Sequence, residues 1–454
     1  MMKYSHILVA GAGRSGIDAA KLIARNHIKA TLFDENKKGA LTEEGLRAKL
    51  EQPGVDTAID IHLGELTDEL IEATDVMVIS PGISLEVPFA VKYREAGKEI
   101  IGEIELAFLY EKGTVCAITG TNGKTTTTTL VGEIMKAANP DTYVVGNIGT
   151  PYTGIADQTK ETSCSVAEIS SFQLETCKTF RPHVSAVLNL TPDHLDRHHT
   201  FENYADCKFL IGKEQTAEDA IVLNADDPEV MARASRVTAK KVYFSATKKV
   251  EGAYVENGIV MLATDSETHE IMPLSDFKLL GSHNVENLLA AVAVAYYMGV
   301  EIPVIAKVCA EFKGVAHRIE YVRTLDGVDY YNDSKGTNPD AAIKGIQAMT
   351  KKTYLIGGGY DKQIPFDDWI EAFDGKVKAL VLIGQTADII EDCAKAHGFT
   401  DVVRAESLEE AIDYCHARAV EGEAVLLSPA CASWGMFDNY EQRGDIFRDY
   451  VNKL

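Results

Sequence analysis

ITGTNGKTTTTTL, residues 118–130, takes up the end of the apolar run VCAIT and leads directly into a helical pattern. A strand, a short glycine loop ending in Gly123-Lys124-Thr125 and a helix make a phosphate cradle. In such a cradle backbone amides wrap the anion, the lysine reaches its outer phosphates, and the threonine hydroxyl serves Mg²⁺. Gly120, Thr121, Asn122 and Gly123 would supply the wrap, with Lys124, Thr125 and Thr126 at the helix start. The spacing departs from G-x-x-x-x-G-K-[ST], because Ile118 stands where the first glycine is expected. The competing reading is a chance glycine pair before a threonine run whose β-branched side chains suit a helix poorly. Strand-loop-helix context favours the cradle; Thr127 to Thr129 have no role in it.

Working outward, short apolar runs alternate with helical segments over nearly the whole chain: HILVA, ATLF, DVMVIS, VCAIT, TYVV, SCSVAEIS, VSAVLNL, AIVLN, TYLIGGG, ALVLIG and AVLLSP. This alternation predicts an α/β fold of parallel sheets covered by helices. The runs form three series, which predicts three domains: 1–103, 104–313 and 314–454. The first series carries a Rossmann-type glycine fingerprint and the second the P-loop of an ATPase fold. A long helical pattern from Asn284 to Met298 and a helix near Pro303 close the middle series.

Composition narrows the function. A chain of 454 residues, 46% hydrophobic and 25% charged, is globular and too long for one core. Its net charge of −23 disfavours nucleic acid, whose backbone is bound by Lys and Arg. No apolar run approaches the roughly 18 to 20 residues of a membrane span, and no signal peptide opens the sequence, which predicts a cytoplasmic protein. The eight cysteines include no C-x-x-C pair, which argues against a zinc ribbon or a disulfide framework.

Other motifs surround the cradle. Gly11-Ala-Gly-Arg-Ser-Gly16 with Asp34 closing the next strand has the form of a dinucleotide fingerprint. No later motif suggests hydride chemistry, and the helix start at Arg14 and Ser15 would hold the diphosphate of a UDP-sugar equally well. Glu168 ends an apolar run, where a carboxylate could meet magnesium beside the phosphates. In Asn189-Leu-Thr-Pro-Asp-His194-Leu-Asp-Arg-His198-His199 the i, i+4 histidines invite a zinc reading, but no HExxH is present and the composition predicts a loop. A histidine there, opposite a phosphate loop, is a plausible ligand to a second metal. Taken alone, Lys208 reads as a helix-surface lysine. Asn284 and Asn287 in GSHNVEN suit contact with an adenine or, equally, an N-cap. Ala316-His-Arg318, Asn332-Asp-Ser-Lys335-Gly-Thr337-Asn338 and Gly357-Gly-Gly-Tyr-Asp-Lys362 follow predicted strands, where ligands of α/β sheets bind.

TGTNGKTT, the Glu168 strand, NLTPDHLDRH, HNVEN, HRIE and DSKGTNPDA occur in the order of the Mur ligase family, and the likeness spans the whole chain. NDSKGTN with SPACASWGMFDNYEQRG (428–444) resembles most the branch that adds D-glutamate to UDP-N-acetylmuramoyl-L-alanine. The Asp-Asn-Pro-Arg type stretch of diamino-acid-adding members is missing. Folylpolyglutamate synthase, also similar, has its phosphate loop near its N-terminus. The resemblance implies a Rossmann-like third series beside the Rossmann-like first, and ATP-dependent amide formation through an acyl phosphate, in peptidoglycan precursor synthesis, by a monomer using two magnesium ions. It implies Lys124, His194, Lys208 and Lys335 as catalytic, and Thr125, Glu168, His194 and a carbamylated Lys208 as metal ligands. Asn284, Asn287, Arg318, Asp333 and Lys335 match positions that contact ATP. Arg14, Ser15, Asp34, Ser80, Asn147 and His194 match the surroundings of the UDP-sugar, although Glu35 and Asn36 stand where a basic residue is expected. Thr337, Lys362, Ser433 and Tyr440 match the D-glutamate pocket. The alternatives are a related ligase for another amino acid and a nucleotide-binding module that does not catalyse.

Overall fold

The structure is a computed structural model that describes residues 4–36, 39–52 and 59–454. Three sheets form. The first contains β1 (His6–Ala10), β2 (Lys29–Asp34), β3 (Ile59–Leu63), β4 (Val76–Ile79) and β5 (Glu99–Gly102), all parallel in the order β3-β2-β1-β4-β5. The second contains β6 (Thr114–Thr119), β7 (Thr142–Gly146), β8 (Cys164–Glu168), β9 (Val184–Val187), β10 (Ala220–Asn224), β11 (Lys240–Ser245), β12 (Gly252–Glu256), β13 (Ile259–Ala263) and β14 (Thr268–Pro273). Their order is β14-β13-β12-β11-β10-β9-β6-β8-β7. The third contains β15 (Glu320–Leu325), β16 (Val328–Asn332), β17 (Thr353–Gly357), β18 (Val377–Leu382), β19 (Val402–Arg404) and β20 (Ala424–Leu427), in the order β15-β16-β20-β17-β18-β19.

Each apolar run named above lies on a strand, and the central strands are buried on both faces, as parallel strands under helices must be. Beside the parallel strands that the alternation predicts, two antiparallel segments extend the sheets. β12, β13 and β14 pair antiparallel, as do β15 and β16. Two-residue links join β12 to β13 (Asn257-Gly258) and β15 to β16 (Asp326-Gly327), with both central residues at positive φ as type I′ hairpin turns require.

The chain packs as two compact units, Met1–Leu274 with Glu286–Cys309, and Ser275–Val285 with Ala310–Leu454. The first and second sheets share the first unit because one apolar core runs through both, from Ile7 and Val9 through Ile104 and Leu106 to Val115 and Ile221. Polar contacts fix the same junction. Arg25 meets Asp157 with two nitrogens at 2.8 Å, and the buried Glu105 carboxylate accepts from the amides of Lys178, Thr179 and Phe180. Because Glu105→Ala strands those donors, it is expected to lower unfolding free energy by about 3 kcal/mol, read as a lower urea midpoint at constant slope.

Candidate active site

The phosphate loop is built by β6, the turn Gly120–Gly123 and the helix Lys124–Ala138. Gly123 caps that helix at φ 82° with no side-chain cap, so the first-turn amides and the positive end of the dipole face the loop. A Cβ at Gly123 would collide with Asn287 Oδ1, so only glycine lets the loop close on this side chain. The chain after β9 braces the other side: Asn189 O accepts from Thr121 N at 2.9 Å and Asn189 Oδ1 from Asn122 N at 2.8 Å. Tyr204 donates its hydroxyl to Thr121 Oγ1 at 3.1 Å.

The threonine run gains an account from these contacts. Thr127 Oγ1 donates to Asn287 Oδ1 at 3.2 Å, and Thr129 Oγ1 bonds back to Thr125 O at 2.7 Å. Thr128 is buried with a hydroxyl that no partner satisfies. The run therefore joins the helix to the Asn287 segment at a position where propensity alone would disfavour it.

Three charged groups surround the loop. Lys124 Nζ lies over its own turn, donating to Gly120 O at 2.9 Å and Thr121 O at 2.8 Å. Lys208, expected on a helix surface, is instead 2% exposed. Its Nζ donates to Gly120 O at 2.8 Å and stands 4.7 Å from the Tyr204 ring centre. Burial, and then the charge of Lys124, pull its amine down to about 7. Glu168 closes β8 and is 2% exposed; Oε1 accepts from Asn147 Nδ2 at 2.8 Å, while Oε2 is buried with no hydrogen-bond partner. A buried carboxylate oxygen without a donor is costly unless a cation completes it, so this corner fits a metal ion.

The histidine segment also differs from the expected loop, since Leu195–His198 forms one helical turn behind His194 at φ 51°. His198 is buried, with Nε2 3.0 Å from Ser171 Oγ and Nδ1 3.5 Å from Glu175. His194 is half exposed against Phe172, at 4.9 Å between ring centres. A zinc ion on His198 would take either Nε2 from Ser171 or the Nδ1 that faces Glu175.

At the carboxyl edge of the first sheet, Asp34 braces the glycine loop: Oδ2 accepts from Ala12 N at 2.9 Å and Oδ1 from Asn36 N at 2.8 Å. The helix Arg14–Arg25 starts uncapped at Gly13, and Ser80 Oγ donates to Gly11 O at 3.4 Å. Beside them opens a cavity of about 150 Å³ lined by Gly11, Phe33, Asp34, Glu35, Asn36 and Ile83 among others. Its position, outside the strand ends where β1 and β4 diverge in connection, is where such sheets bind nucleotides. Asn147 lies instead at the end of β7, on Glu168.

In the second unit the remaining candidates gather on loops after β16, β17 and β20. Asp333 is buried, accepting from Ser428 Oγ at 2.7 Å and Ile319 N at 3.2 Å, and burial pushes its carboxyl up to about 7. The adjoining turn holds His317 and Ile319 at φ 64° and 46°, strained for side-chain-bearing residues, and His317 O fixes Lys335 N at 2.9 Å. Arg318 projects from that turn, exposed. Lys335 Nζ stands 5.6 Å from the Tyr440 ring centre, and Lys362 Nζ 5.5 Å from that of Trp434. Thr337 follows Lys335, its amide bonded to Lys335 O, and Ser433 is buried. Asn284 falls in this unit, donating to Leu280 O at 2.7 Å. Asn189, Tyr204, Ser428 and Arg443 were not singled out by sequence; only their places inside NLTPDH, the Lys208 helix and SPACASWGMFDNYEQRG could have marked them.

Comparison with known proteins matches three profiles in order: Mur ligase MurD-like, N-terminal domain (residues 5–102), Mur ligase middle domain (118–295), and Mur ligase, glutamate ligase domain (317–431). The UDP-N-acetylmuramoylalanine--D-glutamate ligase of Lachnospira eligens is 49% identical over all of both chains. That of Lachnoclostridium phytofermentans is 48% identical over 99% of this chain and 98% of the relative. Among solved structures, UDP-N-acetylmuramate-alanine ligase MurC of Thermotoga maritima shares the fold with TM-score 0.55 at 18% identity, over 99% of each chain.

Proposed function

The chain belongs to the Mur ligase family, and on that premise we propose that it joins D-glutamate to UDP-N-acetylmuramoyl-L-alanine with cleavage of ATP to ADP and phosphate, as a step in peptidoglycan precursor synthesis. The observation that carries the reading is full-length identity of up to 49% to ligases of that name, in a chain whose phosphate loop adjoins a buried, unpartnered carboxylate oxygen. We assign three domains, 1–103 for the UDP-sugar, 104–313 for ATP and 314–454 for the amino acid. The protein works as a monomer in the cytoplasm; among the described residues no helix is long and apolar enough to cross a membrane.

The reaction brings anions together. A substrate carboxylate oxygen attacks the γ-phosphorus, the bond to ADP breaks, and the neutral amine of D-glutamate then attacks the acyl carbon; the tetrahedral intermediate loses the amine's proton to solvent and expels phosphate. Positive groups, rather than a covalent nucleophile, are what such steps need. In this assignment Gly120–Thr126 and Asn287 hold the triphosphate, and Lys124 leaves its own turn for the outer phosphates. Thr125, Glu168, His194 and carbamylated Lys208 would hold two magnesium ions, whose chemistry is to neutralise charge on the transferred phosphoryl group. Asn147 orients Glu168, which is a second role beside the UDP-sugar contact assigned to it. Arg14, Ser15, Asp34, Ser80 and His194 serve the UDP-sugar. In the second unit Asn284, Arg318, Asp333 and Lys335 serve ATP, with Lys335 also toward the reacting carboxylate, and Thr337, Lys362, Ser433 and Tyr440 serve D-glutamate. Lys362 pairs with its side-chain carboxylate.

Phosphate release with ATP, Mg²⁺ and UDP-N-acetylmuramoyl-L-alanine tests the reading. Turnover is expected with D-glutamate and to be absent with L-lysine or diaminopimelate. The opposite preference would reassign the amino acid, and no turnover with any of them would leave a nucleotide-binding module.

A further inference from the structure

We infer that Arg443 is a positioning residue for the amino-acid pocket, locking together the three strand-end loops that carry it; this rests on the D-glutamate assignment above. Arg443 lies on the helix Tyr440–Val451 and is fully buried. Its guanidinium spends its donors on two separate loops. Nε donates to Ser334 Oγ at 2.9 Å and one terminal nitrogen to Ser334 O at 2.9 Å, in the loop after β16. Both terminal nitrogens reach Cys431 O at 3.2 Å, in the loop after β20.

The third loop, after β17, closes over the same group. A Cβ at Gly359 would come 3.4 Å from a terminal nitrogen of Arg443 and would collide with Ala432 O. Tyr360 N donates to Ala432 O at 2.9 Å, and Gly358 N to Pro429 O at 2.8 Å, so this loop is stitched to the one that Arg443 holds. Ser334 Oγ in turn donates to Tyr440 O at 2.8 Å, which returns the contact to the arginine's own helix.

Each pocket candidate stands within about one turn of chain from one of these contacts. Thr337 follows Ser334, Ser433 follows Cys431, Lys362 follows Gly359, and Tyr440 lies one turn before Arg443. Burying a guanidinium among hydroxyl and main-chain oxygens is a poor way to fill space. It is an effective way to fix distances, because a rigid planar fork holds several acceptors in one geometry, whereas a lysine ammonium presents its donors from a single point.

Steady-state KM values for each substrate in Arg443→Lys and Ser334→Ala, with far-UV circular dichroism and thermal unfolding alongside, test the inference. The KM for D-glutamate is expected to rise at least about tenfold in Arg443→Lys and by a smaller factor in Ser334→Ala, as misplaced binding groups dictate. The KM for UDP-N-acetylmuramoyl-L-alanine should stay within about twofold. An unchanged KM for D-glutamate in folded Arg443→Lys, or equal rises for all substrates, overturns it. If Arg443→Lys does not fold, Ser334→Ala alone decides, an unchanged D-glutamate KM again overturning it. Lys362→Ala and Thr337→Ala separate the premises: if neither affects D-glutamate, the pocket assignment fails and the inference falls with it.

Discussion

Lys208→Ala is expected to slow D-glutamate-dependent phosphate release by about 10²- to 10³-fold, the scale of losing one charged group from a phosphoryl-transfer site. Formate or acetate should restore part of the rate by filling the space the side chain leaves. The argument begins from burial. The Lys208 amine is enclosed beside Gly120 O and the Tyr204 ring, and desolvation brings it down to about 7. Near neutral pH a substantial share of it is then uncharged, against well under about one part in a thousand for an exposed lysine. A neutral amine can attack carbon dioxide: the N–C bond forms, a π pair moves to oxygen, and nitrogen releases a proton to solvent. The product would be an anionic carbamate beside the phosphate loop, and it is this group whose role the variant tests. Unchanged activity in Lys208→Ala would reject the role, and an active Lys208→Arg would mean that only the positive charge matters.

The same shift sets a pH dependence. Between about 7 and the ordinary lysine value the unfolded chain carries a proton that the folded chain lacks, so stability contributed by this site rises with pH through that window. Below about 7 the amine protonates in the folded state as well, and the carbamate is disfavoured. Activity should therefore fall on the acid side and recover with added bicarbonate. Carbon-13 NMR with labelled bicarbonate checks the carbamate directly; absence of a carbamate signal in the active protein would reject it.

The sequence carried these elements unequally. Apolar runs and the glycine loop are local signals, and they located the strands and the phosphate cradle. Lys208 and Gly120 stand 88 positions apart, so no periodicity marks that lysine as buried. The same holds for Arg443, whose partner Ser334 is 109 positions away. Asn147 matched a UDP-sugar position by motif, yet its amide is bonded to Glu168, a pairing visible only once β7 and β8 lie side by side. The two antiparallel hairpins were different, because Asn257-Gly258 and Asp326-Gly327 are local turn signals. Their flanking strands, 252–256, 259–263, 320–325 and 328–332, lie outside the apolar runs read as strands, so the turns stood without flanks.

Glu168→Gln provides the second large effect, because it keeps shape and removes only charge. The wild-type carboxylate gives Oε1 to Asn147 and leaves Oε2 buried without a partner. A glutamine must either turn its amide nitrogen toward Asn147 Nδ2, setting donor against donor, or place it where the bare oxygen was, removing an anionic ligand. Either way the magnesium-dependent rate is expected to fall by about 10²-fold or more, with half-saturation moved to higher Mg²⁺. Asn147→Ala, which leaves the charge but frees its orientation, should lose about tenfold. Stability should move differently from activity. Removing a buried, incompletely paired anion relieves desolvation, so Glu168→Gln without metal should melt no lower than the wild type, while Mg²⁺ should raise its Tm less than it raises that of the wild type. A variant that melts lower and keeps its magnesium response would identify Glu168 as a packing residue, because losing the charge of a metal ligand held for function weakens turnover and the magnesium response while sparing the fold.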